Sequence, residues 1–306
     1  MIETATDIKY LQRGEIDVSK WDNCIIRSFN GLIYARSVYL DAMAKNWSGL
    51  IFKDYEIVMP LTWNKKYGIS YLYQPAFTAQ LGIFYSSDID QIIISAFISE
   101  TKKRFRFCEI HINYAVAVED GVLRANYVLN LNKSYDQLAS AYKKRLLQNL
   151  READAFDLEY TSSGDLSGTI TSFETEYGRK MPGTKKPDYI HFKNLCETLT
   201  QYGMIIQRVV KDASGNLLTC SIFLKDRNRI YNIMSVTFDE GRKKRSHFYL
   251  IDQLIREFSG LDLILDLEGS EVPGIAEFYR KFGSVNQPYQ FFRYNQIPFP
   301  LRFFKK

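Results

Sequence analysis

The segment 204–238 limits the fold more than any other part of the chain. It reads MIIQRVVKD, LLTCSIFLKD and IYNIMSVTF, three apolar runs separated by Ala213-Ser-Gly-Asn216 and Arg227-Asn-Arg229. Short β-branched runs bounded by turn residues fit strands of a meander and are too brief for packed helices. A helix from His247 to Phe258 follows, with Leu250, Leu254 and Phe258 on one face and Gly260 just past the end. LDLILDLE then alternates as a strand, and a short helix from Val272 to Phe282 stops at Gly283.

The first half repeats this order without repeating its residues. After a helix over 34–46, the runs GLIFKD, YEIVMPLTW and ISYLYQ predict strands, the last two joined by the NKKYG turn. The acidic stretch Ser87-Asp-Ile-Asp90 caps a helix QIIISAFISETKKRF, whose cations fall in the last turn as the helix dipole favours, and CEIHINYAV is a strand. Ser134-Tyr-Asp-Gln137 is a capping box opening a helix YDQLASAYKKRLLQNLREA, with Leu138, Tyr142 and Leu146 four apart. The stretch 160–203, which holds MPGTKKP, reads as loop or short helices. A tandem duplication of one α/β unit of the α+β type accounts for the shared order, with mixed, mostly antiparallel sheets flanked by helices. The break is placed near residue 132, giving domains 1–132 and 133–306.

Charge and composition narrow the chemistry. The net charge of +5 over 306 residues is too small for a dedicated nucleic-acid binder, so local clusters matter more than the total. Cys24, Cys108, Cys196 and Cys220 are scattered, as are His111, His191 and His247, which argues against a zinc site, any other metal site, or a disulfide framework. No apolar run reaches the roughly 18–20 residues of a membrane span, and the start of the chain lacks a signal-like segment, so a cytoplasmic protein is expected. Glycine motifs for P-loops and dinucleotides, the GxSxG elbow and HExxH are all missing.

Two constellations remain. Arg242, Lys243, Lys244, Arg245, Ser246 and His247 run into a helix start, where free amides and the helix dipole favour an anion; a solvated basic turn with Ser246 as N-cap is the alternative. In LDLEGS, Asp266 and Glu268 share one face of a strand, where two close carboxylates raise one another's pKa and suit a general base; the alternative is a packed strand with solvated acids. In the following helix, Ile275, Phe278 and Phe282 form the expected buried stripe, with Tyr279 at its edge. In the first half, Tyr71, Tyr73, Gln74 and Gln80 of YLYQPAFTAQ either line an acceptor groove or pack in the core around Pro75.

FYRKFGS, at 278–284, resembles the end of the short helix of GNAT acyltransferases, and KKRLLQNLREADAFDLEY resembles the helix opening the second domain of the FemABX and BioF-like acetyltransferase group. The resemblance covers most of residues 20–295 and implies two tandem GNAT-like domains. It implies an N-acyltransferase with acyl-CoA as donor, aminoacyl-tRNA being the second choice, and an amine on a small molecule or cell-envelope component as acceptor. By the same resemblance, Arg242 to His247 occupy the place of the pyrophosphate loop and Tyr279 that of the tyrosine protonating the leaving thiolate; Glu268 or Asp266, nominated by their spacing, completes the reading as base. The segment 85–88 in the first half lacks such a loop, implying a degenerate domain that binds no donor. The run 242–247 departs from the group in containing no glycine, Gly241 preceding it. That departure leaves open a non-catalytic GNAT scaffold binding a nucleotide or RNA through its basic turns.

Overall fold

A computed structural model describes residues 7–299 apart from 163, 182 and 270–272. The first elements are β1 (Ile8–Gln12), α1 (Val18–Arg27), α2 (Ser37–Met43), β2 (Trp47–Phe52), β3 (Ile57–Lys66), β4 (Ile69–Leu72) and β5 (Phe84–Tyr85). They are followed by α3 (Gln91–Arg104), β6 (Phe107–Ile112) and β7 (Val122–Arg124). Next come β8 (Tyr127–Asn130), α4 (Tyr135–Ala139), α5 (Lys144–Asp154), β9 (Glu159–Thr161), α6 (Leu166–Tyr177) and α7 (Lys186–Gln201). The meander is β10 (Ile205–Lys211), β11 (Leu217–Lys225) and β12 (Arg229–Thr237). The chain ends with α8 (Asp239–Lys243), α9 (Ser246–Phe258), β13 (Ile264–Asp266), α10 (Pro273–Arg280), β14 (Val285–Asn286) and β15 (Tyr289–Asn295).

The two sheets run β1-β2-β3-β4-β6-β15-β7, with β5 also on β3, and β14-β8-β13-β12-β11-β10-β9. Contacts divide the chain accordingly, one unit reaching Arg124 and taking back the segment from Pro288, the other being Ala125–Gln287. This division differs from the break expected near residue 132 at both ends. β8 pairs with β13 and β14 in the second sheet, while β15 lies between β6 and β7 in the first. Both assignments rest on pairings across long sequence separations, to which local patterning is blind.

Each unit has its own core. Leu50, Met59, Leu61, Phe97, Ile110 and Phe292 centre the first, and Leu146, Phe223, Leu250, Leu254, Leu265 and Phe282 the second. In α9, Leu250, Ile251, Leu254 and Ile255 are fully buried, each contributing about 1.5–3 kcal/mol on burial. The helix expected over 135–153 is broken into α4 and α5: Lys143 is extended and its N–H donates to the carbonyl of Lys281, yet Leu138, Tyr142 and Leu146 still face the core. The helix expected over 34–46 is confined to α2 after a 3-10 turn at Ile33–Ala35. Among its described residues, the stretch 160–203 holds α6, a 3-10 turn at Gly178–Lys180, and α7. α7 buries Tyr189, Phe192, Cys196 and Leu199 at helical spacing behind a capping box of Lys185 and Asp188, a pattern present in the sequence but obscured by MPGTKKP.

Candidate active site

The parallel pair β12 and β13 touches over three residues only, Arg229 opposite Ile264, Ile230 opposite Leu265 and Tyr231 opposite Asp266. β12 continues to Thr237, and among the described residues no strand pairs that edge beyond Tyr231. A row of backbone donors and acceptors is thereby left available where the two strands part. A bulge sits at the same place: Ile222 faces Met234 but Phe223 faces Asn232, so Ile233 is an extra residue. The bulge brings Asn232 and Ser235, three apart, onto one face, where the Ser235 hydroxyl donates to Asn232 Oδ1 at 2.9 Å. Ser235 and Ser221 hydroxyls are 2.8 Å apart, and Thr219 and Ser246 hydroxyls 2.5 Å, so small polar side chains line this face.

Tyr279 is placed at the parting by α10. Its oxygen accepts from Asn232 Nδ2 at 3.1 Å, leaving the phenol its own O–H for another acceptor. Burial, with the nearby charges of Glu268 and Asp266, raises its pKa, so the group stays protonated. Tyr279 is not at the edge of the buried stripe as expected: Ala276, Tyr279 and Phe282 are buried, whereas Ile275 is 39% exposed. α10 is rotated about its axis relative to the sequence reading, because the Asn232 contact and the Phe278 stack fix it.

The two acids do not act as a pair. Asp266 is 1% exposed, receives Arg229 Nη1 at 2.6 Å and Asn126 Nδ2 at 2.9 Å, and lies within a core ion pair, while Arg229 Nη2 also donates to Gln287 Oε1 at 3.0 Å. The expectation that Asp266 serves as general base is therefore corrected: an acceptor whose charge is committed to a buried guanidinium is a structural group. Glu268 lies past the strand end at φ 48, half-buried, with its charge felt at the Tyr279 phenol. The same-face argument fails because β13 ends at Asp266 and the left-handed turn at Glu268 breaks the alternation.

The basic run differs from the expected open loop. Arg242 and Lys243 belong to α8, Lys244 caps it, and Arg245 adopts a left-handed conformation (φ 58) as N-cap of α9. Each cation has a carboxylate: Arg242 meets Asp239 and, at 3.9 Å, Glu176; Lys243 meets Glu240 at 2.6 Å; Lys244 meets Asp212 at 2.9 Å; Arg245 meets Glu152 at 2.9 Å. The Lys244 contact lowers Asp212 to about 2. Little uncompensated charge is left for a phosphate or for RNA. Ser246 is not the N-cap; it is the first helical residue, and its buried hydroxyl meets Thr219. Gly241 is required for packing, since a Cβ there would lie 2.3 Å from the Leu218 carbonyl oxygen. What does suit an anion is the start of α9, where no side chain caps the helix, in contrast to α3, whose first turn is closed by the Asp90 carboxylate accepting from Ile92 N. His247 stacks on Phe278 with centroids 4.9 Å apart, its enclosed Nδ1 has no hydrogen-bond partner among the described residues, and burial lowers its pKa to about 4.

In the first unit, the Gln74 amide donates to the Thr78 carbonyl and accepts from His111 N, and buried Gln80 accepts from Tyr114 N. Gln74 and the Gln80 oxygen thus tie the 74–80 loop to His111 and Tyr114. Tyr73 accepts from Lys45 N at 2.8 Å, and its ring lies 6.3 Å from that of Tyr71. Among the described residues, no cluster of His, Cys, Asp and Glu could hold a metal, and no helix is long and apolar enough to cross a membrane. The residues missed by sequence reasoning are Asn232, Ser221, Ser235 and Thr219; the available signal was small polar residues interrupting strands that are otherwise apolar.

No family profile and no curated protein matches the sequence. Solved structures do match the backbone. FemX gives a TM-score of 0.62 over 92% of this chain and 96% of its own, at 11% identity. The C-terminal domain (DUF2156) of a putative lysylphosphatidylglycerol synthetase from Agrobacterium fabrum gives 0.54 over 94% of both chains, at 10% identity. A tandem GNAT protein from the clavulanic acid biosynthesis pathway, solved without AcCoA, gives 0.52 over 95% of this chain and 99% of its own, at 9% identity.

Proposed function

We propose that this chain, which has the tandem GNAT fold of the FemABX-like group, is an N-acyltransferase whose chemistry belongs to the unit Ala125–Gln287. Acyl-CoA is the donor in this reading, ahead of aminoacyl-tRNA, and the acceptor is an amine on a small molecule or cell-envelope component. The observation that carries it is the parting of β12 from β13 beside the buried phenol of Tyr279. A thin donor ending in phosphates fits the features present: a strand edge left open beyond Tyr231 and an uncapped helix start.

In this mechanism the β12 edge beyond Tyr231 holds the donor's amides and acyl carbonyl. Glu268 takes the proton lost by the attacking nitrogen, directly or through a water. The C–N bond forms as the C–S bond breaks, and Tyr279 gives its proton to the departing sulfur. Reprotonation of the phenolate from Glu268 or solvent closes the proton balance. Arg242, Lys243, Lys244 and Arg245 engage donor phosphates only by leaving their present carboxylates, an exchange that solvent screening makes easiest at the exposed pairs.

The test is thiol release from acetyl-CoA across a panel of primary amines, combined with calorimetric titration of CoA. Binding with amine-dependent thiol release that falls in Glu268→Gln supports the reading. CoA binding without turnover on any amine would favour the scaffold reading, and no CoA binding would remove acyl-CoA as donor.

A further inference from the structure

The bulge in β12 builds a hydrogen-bonded chain of which the proposed mechanism uses only the end. Asn232 Nδ2 donates to the Tyr279 oxygen at 3.1 Å, the Ser235 hydroxyl donates to Asn232 Oδ1 at 2.9 Å, and the Ser221 and Ser235 hydroxyls are 2.8 Å apart. Ser221 and Ser235 lie directly opposite each other in the β11–β12 ladder, and the extra residue Ile233 puts Asn232 on their face. In a regular strand, residues 232 and 235 would point to opposite sides.

Such a chain has two directions, because each hydroxyl has one hydrogen to give and the amide gives at nitrogen and accepts at oxygen. In one, Ser221 donates to Ser235, Ser235 to Asn232 and Asn232 to Tyr279, which leaves the phenol hydrogen over. With the amide turned, Tyr279 donates to Asn232, Asn232 to Ser235 and Ser235 to Ser221, which leaves the Ser221 hydrogen over. The better place for the spare hydrogen decides between them. Ser221 is 0% exposed and has no other side-chain hydrogen bond among the described residues, so a spare hydrogen there stays unmatched at a cost of about 1–3 kcal/mol. Tyr279 is buried too, but it bonds the residue directly after Tyr231, where β12 and β13 part, and the open strand edge admits water or a ligand as acceptor. Loss of the phenol proton strengthens the same direction, since a phenolate draws harder on the Asn232 N–H and each bond behind it polarises the next.

We infer that Ser221 and Ser235 are positioning residues for Tyr279, an assignment that rests on the acyl-transfer reading: they hold the Asn232 nitrogen toward the phenol, so the phenol hydrogen is kept for the departing sulfur and the phenolate is met by a donor. No proton moves along the chain; the single transfer is from the phenol oxygen to sulfur.

The test is carbon-13 spectroscopy of the full chain labelled at tyrosine Cζ, with Tyr279→Phe identifying the signal, alongside thiol release from acetyl-CoA. A phenol that loses an accepted hydrogen bond and donates one instead gains phenolate character, so the Cζ signal reports the direction of the bond. Asn232→Asp makes the phenol donate to a carboxylate and sets the scale. Ser235→Ala, which frees the amide to turn, should move the Tyr279 signal the same way by less, and Ser235→Thr, which keeps the hydroxyl, should leave it in place. The kcat of Ser235→Ala should fall about tenfold with KM unchanged, the scale of one hydrogen bond to a charged group, and Ser235→Thr should recover most of it. Unmoved signals from the other tyrosines show that the fold is intact; where Ser235→Ala disturbs them, Ser221→Ala gives the same reading one bond further back. A Tyr279 signal that stays put in the alanine variants, an equal movement in Ser235→Thr, or a loss carried by KM instead of kcat overturns the assignment. A parent chain without amine-dependent thiol release overturns the acyl-transfer reading and the acid role with it, while the spectra, read without turnover, still decide the direction of the chain.

Discussion

Asp266 and Glu268, two residues apart, should respond in opposite ways to loss of charge. Asp266→Asn removes the anionic member of an ion pair in which both side chains are 1% exposed, while Arg229 keeps its charge and its contact with Gln287 Oε1. Stranding a buried charge costs about 3–5 kcal/mol, a large part of the roughly 5–15 kcal/mol that holds a domain together. The unfolding free energy should fall by that amount, read as a lower urea midpoint with little change in the slope m. Replacing both partners by apolar residues, Arg229→Met with Asp266→Leu, should recover most of the loss, because the desolvation penalty goes with the charges. Glu268→Gln keeps the left-handed backbone and the side-chain shape at a half-buried position outside the strand. Its stability should stay within about 0.5 kcal/mol of the parent, while amine-dependent turnover falls about 100-fold. The assay pairs urea denaturation with thiol release on the same preparations. A loss below about 1 kcal/mol in Asp266→Asn, or matching losses of stability in both single variants, would refute the division of roles.

Tyr279→Phe should lower kcat with an acyl-CoA donor by about 100-fold while costing about 1 kcal/mol of stability for the unpartnered Asn232 amide; unchanged kcat would exclude the phenol as acid. Asn232→Ala should reduce kcat more than it changes KM, because it frees the Tyr279 oxygen from its donor; an equal effect on donor affinity would place Asn232 in binding instead. Burial lowers His247 from 6.5 to about 4, so the unfolded chain takes up a proton that the folded chain refuses. The His247 contribution is therefore complete above the unfolded value and should decline as pH falls from about 6.5 towards 4, so His247→Gln should make the slope of urea midpoint against pH shallower in that window. Calorimetry should find one CoA site per chain, since Asp90 already supplies the anion at the start of α3 while the start of α9 lacks a cap; two sites would contradict this.

Local periodicity and turn chemistry determined much of the architecture. The meander over 204–238, the capping box at Ser134 and Gln137, the α9 stripe and the stop at Gly283 are all short-range signals, set by side-chain spacing and backbone preference within a few residues. The repeated order of these elements pointed to a tandem α/β unit, and the resemblance of FYRKFGS and KKRLLQNLREADAFDLEY to GNAT sequences supplied the fold, which solved structures match although no family profile does. The site was legible only in part. Tyr279 and Glu268 could be nominated, but nothing in LDLEGS reveals that Arg229 and Asn126 reach Asp266 from other strands and turn one acid of the pair into a core ion pair. Nor does RKKRSH show that Glu152 and Asp212, distant in sequence, neutralise its cations. The return of β15 to the first sheet and the bulge that aims Asn232 at Tyr279 belong to the same class. Charge compensation and strand pairing depend on groups separated by tens to hundreds of residues, so only the folded chain brings the deciding partners together.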